Sequence, residues 1–120
     1  MWVLRLVGLL YLSSGVWCVL NPVESATFLG FSFTNLGIAE FYSVYGGLQL
    51  GIGMAMILSS LNEHYLPGGV FFSLVLSCGL LLFRVIAMLQ FGSNDALISM
   101  LVLELIIVLV LFVQLKRLKY

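Results

Sequence analysis

The stretch FRVIAMLQFGSNDALISMLVLELIIV, residues 83–108, places one arginine and one glutamate inside two long apolar runs. The polar break GSND, residues 92–95, separates the runs and is typical of a tight turn. The stretch therefore predicts a hairpin of two apolar helices that carry Arg84 and Glu104 in their interiors. Ionisable residues in such helices are rare, costly and usually functional. Arg84 and Glu104 are therefore the first candidates for a functional site.

The composition of the whole chain indicates a membrane protein. Of the 120 residues, 62% are hydrophobic and only 8% are charged, whereas soluble domains are about half apolar and about a quarter charged. A soluble domain of this length also leaves too much surface exposed to hide so many apolar side chains. The net charge is zero, which gives no electrostatic basis for binding nucleic acid. We therefore expect the chain to lie in lipid and to have membrane lipids as partners.

Hydropathy divides the chain into segments long enough to cross a bilayer, since a spanning helix needs about 20 mostly apolar residues. There are four such segments, residues 2–20, 38–60, 70–91 and 96–115. Residues 21–37 are too short to span and predict a loop or a short helix at the membrane interface. The expected fold is an all-α integral membrane four-helix bundle, formed by a single domain that covers residues 1–120.

Basic residues predict the orientation of these helices, because they favour the cytoplasmic side of a membrane. Arg5 lies near the N-terminus, and Lys116, Arg117 and Lys119 follow the last segment. We therefore expect both termini in the cytoplasm. Arg5 and the apolar run behind it also fit the early part of a signal peptide, but no small-residue cleavage site closes that run. The first helix is accordingly expected to be retained.

Arg84 and Glu104 are expected at the same depth in the membrane. Each lies about ten residues from the turn, and at about 1.5 Å per residue both are therefore about 15 Å from it. An opposite charge relieves much of the cost of burial, and a guanidinium matches a carboxylate in geometry. The sequence thus predicts an intramembrane Arg84–Glu104 pair, which either lines a pocket or only fixes the register of two helices.

Other polar residues lie on helical faces that can reach this pair. Ser77 precedes Arg84 by seven residues and shares its face. Tyr45 and Gln49 are four residues apart on the second segment, and Glu40 lies near its outer end. A plainer interpretation is that Ser77 bonds to its own helix and that Glu40 is only solvated. The predicted ligand-binding residues are Arg84, Glu104, Tyr45, Gln49, Glu40 and Ser77.

Glycines are concentrated in the second segment, where they predict close helix packing. Small residues let membrane helices approach one another, and the pair Gly47 and Gly51 has the small-xxx-small spacing that favours this. A role in packing is preferred over contact with a ligand. The residues predicted to pack helices are Gly15, Gly46, Gly47, Gly51 and Gly53.

The sequence lacks the residue sets that are typical of enzymes. Cys18 and Cys78 each lie in an apolar run and are expected to be packed thiols. The single histidine, His64, lies in a loop without neighbouring metal ligands. There is no nucleotide-binding loop and no nucleophile–base pair. An enzymatic role is therefore the least favoured, and we expect neither a metal nor a cofactor.

Three segments of the chain resemble the domain of unknown function 4345 family, small bacterial membrane proteins related to the DoxX-like group of four-helix proteins. They are EFYSVYGGLQLGIGMAMIL (40–58), LLLFRVIAML (80–89) and SMLVLELIIVLVLF (99–112). The most specific parts are the YGG motif at residues 45–47 with Gly51 and Gly53, Arg84 in the third segment and Glu104 in the fourth. The resemblance implies a multi-pass protein of the bacterial inner membrane, with no established activity. Some DoxX-like relatives are linked to quinone or thiol redox chemistry.

Two functions remain open at this point. The first is binding or transport of a lipophilic molecule with a polar head, such as a quinone or a lipid, in a pocket around Arg84 and Glu104. The second is a role as an accessory subunit of a larger membrane complex, or as a homo-oligomer, in which glycine-rich helix faces dock on neighbouring helices.

Overall fold

The computed structural model describes residues 2–33 and 37–118, which form five helices and no strand. Four of these helices are long and apolar enough to cross a membrane, as the sequence predicts. The helices are α1 (Trp2–Leu20), α2 (Pro22–Phe28), α3 (Gly37–Ser60), α4 (Leu66–Phe91) and α5 (Asp95–Arg117).

Local sequence signals set the ends of the hairpin helices. α4 begins at Leu66, four residues before the predicted start, and Pro67 lies in its first turn, where the missing N–H of proline costs nothing. α4 ends at Phe91, and the next residue, Gly92, has a φ of 92°, a conformation that favours glycine. α5 begins after Asn94, whose side chain accepts a hydrogen bond from the Leu97 backbone N–H at 2.9 Å and thereby caps the helix.

The segment between the first two spans contains the short helix α2. Ser25 in this helix is fully buried and donates a hydrogen bond to the carbonyl oxygen of Asn21 at 2.8 Å. Beyond Phe28 the chain makes a turn and then runs without regular structure to Phe33. Residues 34–36, which belong to the predicted interfacial segment, lie outside the described residues.

The helix α3 changes its geometry along its length. Tyr42–Leu48 form a π-helix between two α-helical parts, Gly37–Phe41 and Gln49–Ser60. The wider π turn holds at least one extra residue, and it rotates the residues that precede it by roughly 100° relative to a regular α-helix. The faces predicted from a regular 3.6-residue period therefore do not continue from Gln49 back to Glu40.

The helices α1 and α3 pack antiparallel through glycines. A Cβ atom on Gly8 would lie 2.9 Å from the carbonyl oxygen of Gly53, and one on Gly53 would lie 2.7 Å from that of Gly8. A Cβ on Gly15 would lie 3.0 Å from the carbonyl oxygen of Gly46, and one on Gly46 would lie 2.6 Å from Val19. Any larger residue at these positions would push the two backbones apart.

The remaining predicted packing glycines have a different environment. Gly47 and Gly51 are exposed, and no atom of the described residues lies within 4 Å of the position of a Cβ on either. They take no part in the packing of α1 on α3.

The two cysteines also differ in their environment. Cys18 is buried, as expected, but Cys78 is exposed, so the prediction of a packed thiol is wrong at position 78. The reason is its position one residue after Ser77, which takes the inner face of α4.

The two ends of the long helices are packed differently. At one end, which we call the closed end, all four long helices contribute to one apolar core; its most buried members are Leu4, Met56, Val70 and Leu111. At the other end, the aromatic end, Cys18, Ala26 and Phe41 form a second cluster with Phe33 and Tyr45, without a described residue of α4 or α5. The hairpin of α4 and α5 is thus joined to α1 and α3 most firmly at the closed end.

Candidate functional site

Arg84 on α4 and Glu104 on α5 form the predicted ion pair. The Arg84 Nε donates a hydrogen bond to Glu104 Oε1 at 2.6 Å, and Nη2 donates to Oε2 at 2.9 Å. Two parallel hydrogen bonds of this kind are the strongest arrangement for an arginine and a carboxylate. The side chains are 20% and 13% exposed. The most expensive charges of the membrane-spanning segments therefore neutralise each other inside the protein.

The ion pair leaves part of the guanidinium free. A guanidinium has five N–H groups, and Arg84 uses two of them on Glu104. No other hydrogen bond joins Arg84 to the described residues, so three N–H groups remain. Arg84 also lies at one end of a shallow groove of about 460 Å³ along α4, which is lined by Val75, Leu76, Gly79, Leu80, Phe83 and Arg84 itself. The free donors therefore lie beside an apolar surface depression.

Two tyrosines from the other helix pair face the ion pair. The side chains of Tyr11 and Tyr45 lie in the neighbourhood of Arg84, and that of Tyr11 also lies near Glu104. The ring of Tyr45 stacks on that of Phe41, with centroids 4.8 Å apart. Tyr11 is not among the predicted ligand-binding residues. The sequence does contain a signal for it: Tyr11 precedes Gly15 by four residues, which places it on the face of α1 that packs against α3.

Two buried hydroxyl groups lie on the inner face of α4. Ser73 is 0% and Ser77 1% exposed, and neither Oγ has a hydrogen-bond partner among the described residues. The buried Ser25 and Ser60 differ, since each donates to a backbone carbonyl oxygen of its own helix or its N-cap, at 2.8 and 2.6 Å. The phenol of Tyr11 lies close to Ser77, outside the geometry of a hydrogen bond. Neither hydroxyl of α4 is therefore engaged by a hydrogen bond among the described residues.

Gln49 and Glu40, both on α3, have different positions. The Gln49 Oε1 is buried and has no hydrogen-bond partner among the described residues. Glu40 is exposed, and it makes no hydrogen bond or ion pair within the described part of the chain. Glu40 lies in the α-helical part of α3 that precedes the π-helical Tyr42–Leu48, and Gln49 follows it. The side chains available to the site are Arg84, Glu104, Tyr11, Tyr45, Gln49, Ser73 and Ser77.

Apolar packing closes the site on one side. Ser73 lies one turn of α4 after Val70, and Val70, Leu4 and Leu111 are each 0% exposed. Together with Met56 they fill the space between the four long helices at the closed end. The polar side chains of α4 therefore run from Arg84 to Ser73, and the apolar core of the closed end forms a floor beyond them.

Comparison of the chain with models of known protein families, with curated proteins and with solved structures finds no match in any of the three. The resemblance to the domain of unknown function 4345 family stays a prediction, carried by residues 45–47, Arg84 and Glu104.

Proposed function

We propose that the protein binds a lipophilic small molecule or a lipid, such as a quinone, by its polar head at the Arg84–Glu104 pair. The observation that carries the proposal is that Ser77 and the Gln49 Oε1 are buried without hydrogen-bond partners among the described residues, although the Arg84–Glu104 pair is already neutralised. An ion pair that served only to fix helix register would need none of these groups, and burying each without a partner costs about 1–3 kcal/mol. A ligand head that bonds to Ser77 and Gln49 accounts for their burial.

The proposal includes a place for the tail of the ligand. The groove along α4 is apolar, and it ends at Arg84. Gly79 contributes to its depth, since no described atom lies within 4 Å of the position of a Cβ there. An acyl or isoprenoid chain fits such a surface because it exchanges lipid contacts for protein contacts at little cost. The polar head would then lie at the guanidinium, with the tail along Leu80 and Leu76.

The proposed setting is a four-helix bundle in a bacterial inner membrane, with both termini in the cytoplasm. Arg5, Lys116 and Arg117 are all at the closed end, and positive residues favour the cytoplasmic side. The hairpin and the loop at the aromatic end instead carry Asp95 and Glu24. In this orientation the pocket has its apolar floor towards the cytoplasm. That floor favours binding over transport.

The test is ligand retention in a variant that removes both charges. Arg84→Leu combined with Glu104→Leu leaves no unpaired charge and should fold, because a buried ion pair can be replaced by apolar residues. Native mass spectrometry of protein extracted from native membranes should detect a bound lipophilic molecule in the wild type and not in the double variant. A Glu24→Gln variant, which changes an exposed acid on α2, serves as the control. Retention of the molecule by the double variant contradicts the proposal.

A second function, that of an accessory subunit or a homo-oligomer, is favoured by one observation. Gly47 and Gly51 lie on an exposed face of α3 that nothing among the described residues covers, and faces of this kind let another membrane helix approach closely. The same native mass spectra distinguish the two roles. A stoichiometric partner or a second copy that is lost in a Gly47→Leu, Gly51→Leu variant supports the subunit role, and a chain that migrates alone argues against it.

A further inference from the structure

The charge balance of the site restricts the ligands that it can hold. Arg84 and Glu104 cancel each other's charge, and the other polar side chains near Arg84 are the phenols of Tyr11 and Tyr45. An anionic head group would have to displace Glu104 from Arg84 or remain unpaired beside a carboxylate. Either outcome leaves a buried charge without a partner, which is strongly unfavourable.

The hydrogen-bonding groups of the site are of both kinds. Arg84 has three free N–H donors beyond those used on Glu104. The buried Gln49 Oε1 is an acceptor, and the hydroxyls of Ser73 and Ser77 both donate and accept. A head group that satisfies them must therefore offer acceptor oxygens to the arginine and at least one hydroxyl to Ser77 or Gln49.

Ser77 lies within reach of a head group held by Arg84. The two residues are seven positions apart on α4, a rise of about 10 Å along the axis. Side chains of a helix lean towards its N-terminus, so the long side chain of Arg84 extends back towards Ser77. Tyr11 of α1 approaches both Ser77 and the ion pair. A head group that bonds to both Arg84 and Ser77 therefore has to lie between these two side chains and Tyr11.

We infer that the ligand has an uncharged head group with carbonyl and hydroxyl oxygens, the chemistry of an acylglycerol, and that Ser77 binds one of its hydroxyls. This inference rests on the proposed function and narrows it, because it excludes fatty acids and anionic phospholipids as preferred ligands.

The test compares three amphiphiles that share one acyl chain and differ in the charge of the head. Full-length protein in a non-ionic detergent is titrated with 1-monooleoylglycerol, oleate and oleylamine, and binding is measured by native mass spectrometry. Monooleoylglycerol should bind at least about tenfold more tightly than oleate or oleylamine. Ser77→Ala should weaken binding of monooleoylglycerol about three- to tenfold, the loss of one hydrogen bond, and should leave oleate and oleylamine unchanged.

A matched control and a second variant make each outcome decisive. Ser99→Ala removes an exposed hydroxyl of α5 that bonds only to its own helix, so it should alter none of the three affinities. Ser77→Cys keeps nearly the size of serine but bonds weakly, and it replaces Ser77→Ala if the alanine variant does not fold. Unchanged binding of monooleoylglycerol in the folded Ser77 variant overturns the inference.

The result with Arg84→Leu, Glu104→Leu separates this inference from the proposed function. If oleate binds more tightly than monooleoylglycerol and the double variant abolishes that binding, the site exists and the inference of a neutral head is wrong. If none of the three amphiphiles shows binding that depends on Arg84 and Glu104, the proposed function fails as well.

Discussion

Arg84 holds both carboxylate oxygens of Glu104, through Nε at 2.6 Å and Nη2 at 2.9 Å. The two residues lie on neighbouring antiparallel helices, so the pair also joins α4 to α5 across the hairpin. The proposed binding role and the structural role of the pair predict different effects of single and double substitutions.

Arg84→Leu alone should destabilise the protein by about 3–5 kcal/mol, because it leaves the Glu104 carboxylate buried without a partner. Glu104→Leu alone should destabilise the protein to a similar extent, because it leaves the Arg84 guanidinium buried without a partner. The double variant should recover most of that loss, since neither charge remains. Unfolding of the three variants in a titration with sodium dodecyl sulfate measures these differences, and additive losses in the double variant would show that the pair is not coupled.

Gly53→Val should destabilise α1 against α3 by about 1–3 kcal/mol or more, the range for overpacking a tight interface. The added side chain meets the carbonyl oxygen of Gly8 at 2.7 Å and the backbone N of Leu12 at 2.7 Å, and backbone atoms cannot move aside as a flexible side chain can. The same unfolding titration measures the loss.

Gly51→Val is the matched control for this change. Gly51 lies in the same α-helical part of α3, two residues before Gly53, but nothing lies within 4 Å of the position of its Cβ. The substitution should leave stability of the isolated chain within about 0.5 kcal/mol, the usual range for surface positions. Equal losses for Gly51→Val and Gly53→Val would contradict the observed packing of α1 on α3.

Arg5→Gln should weaken the end of α3 at the closed end. The guanidinium donates to the Oγ of Ser60 at 3.1 Å and to its carbonyl oxygen at 3.4 Å, so it both satisfies a terminal carbonyl and places a positive charge at the helix C-terminus. Interactions of this kind contribute about 0.3–1 kcal/mol. Amide hydrogen exchange at residues 58–61 should therefore become faster, while exchange in α5 should not change.

Hydropathy and residue counting are enough to predict the spans and the ion pair, because both depend on distances along single helices. Arg84 and Glu104 could be matched by counting from one turn, whose GSND sequence is unambiguous. The start of α4 is harder to predict from hydropathy, because the residues around Pro67 are polar or small. Proline in the first turn is nevertheless a start signal.

The environment of the site was less predictable, because it depends on contacts between helices. The π-helical Tyr42–Leu48 has no local signal that distinguishes its hydrogen bonds from those of an α-helix, so the rotation of the first part of α3 relative to Gln49 is not predictable from the sequence. Gly51 and Gly53 have similar local sequences, but only Gly53 meets another backbone. The free hydroxyl of Ser77 likewise follows from the packing of α4 on α1, not from its spacing.

The proposed orientation predicts opposite accessibility for the two short polar loops that follow α3 and α4. With Cys18→Ala and Cys78→Ala as the background, His64→Cys lies in the loop between α3 and α4, and Ser93→Cys lies in the hairpin between α4 and α5. Both positions are exposed, so a difference in labelling reports the side of the membrane rather than burial. A membrane-impermeant maleimide added to intact cells should label Ser93→Cys and not His64→Cys, and inverted membrane vesicles should give the reverse. Labelling of His64→Cys in intact cells would place the closed end, with Arg5 and Lys116, outside the cytoplasm and would overturn the orientation.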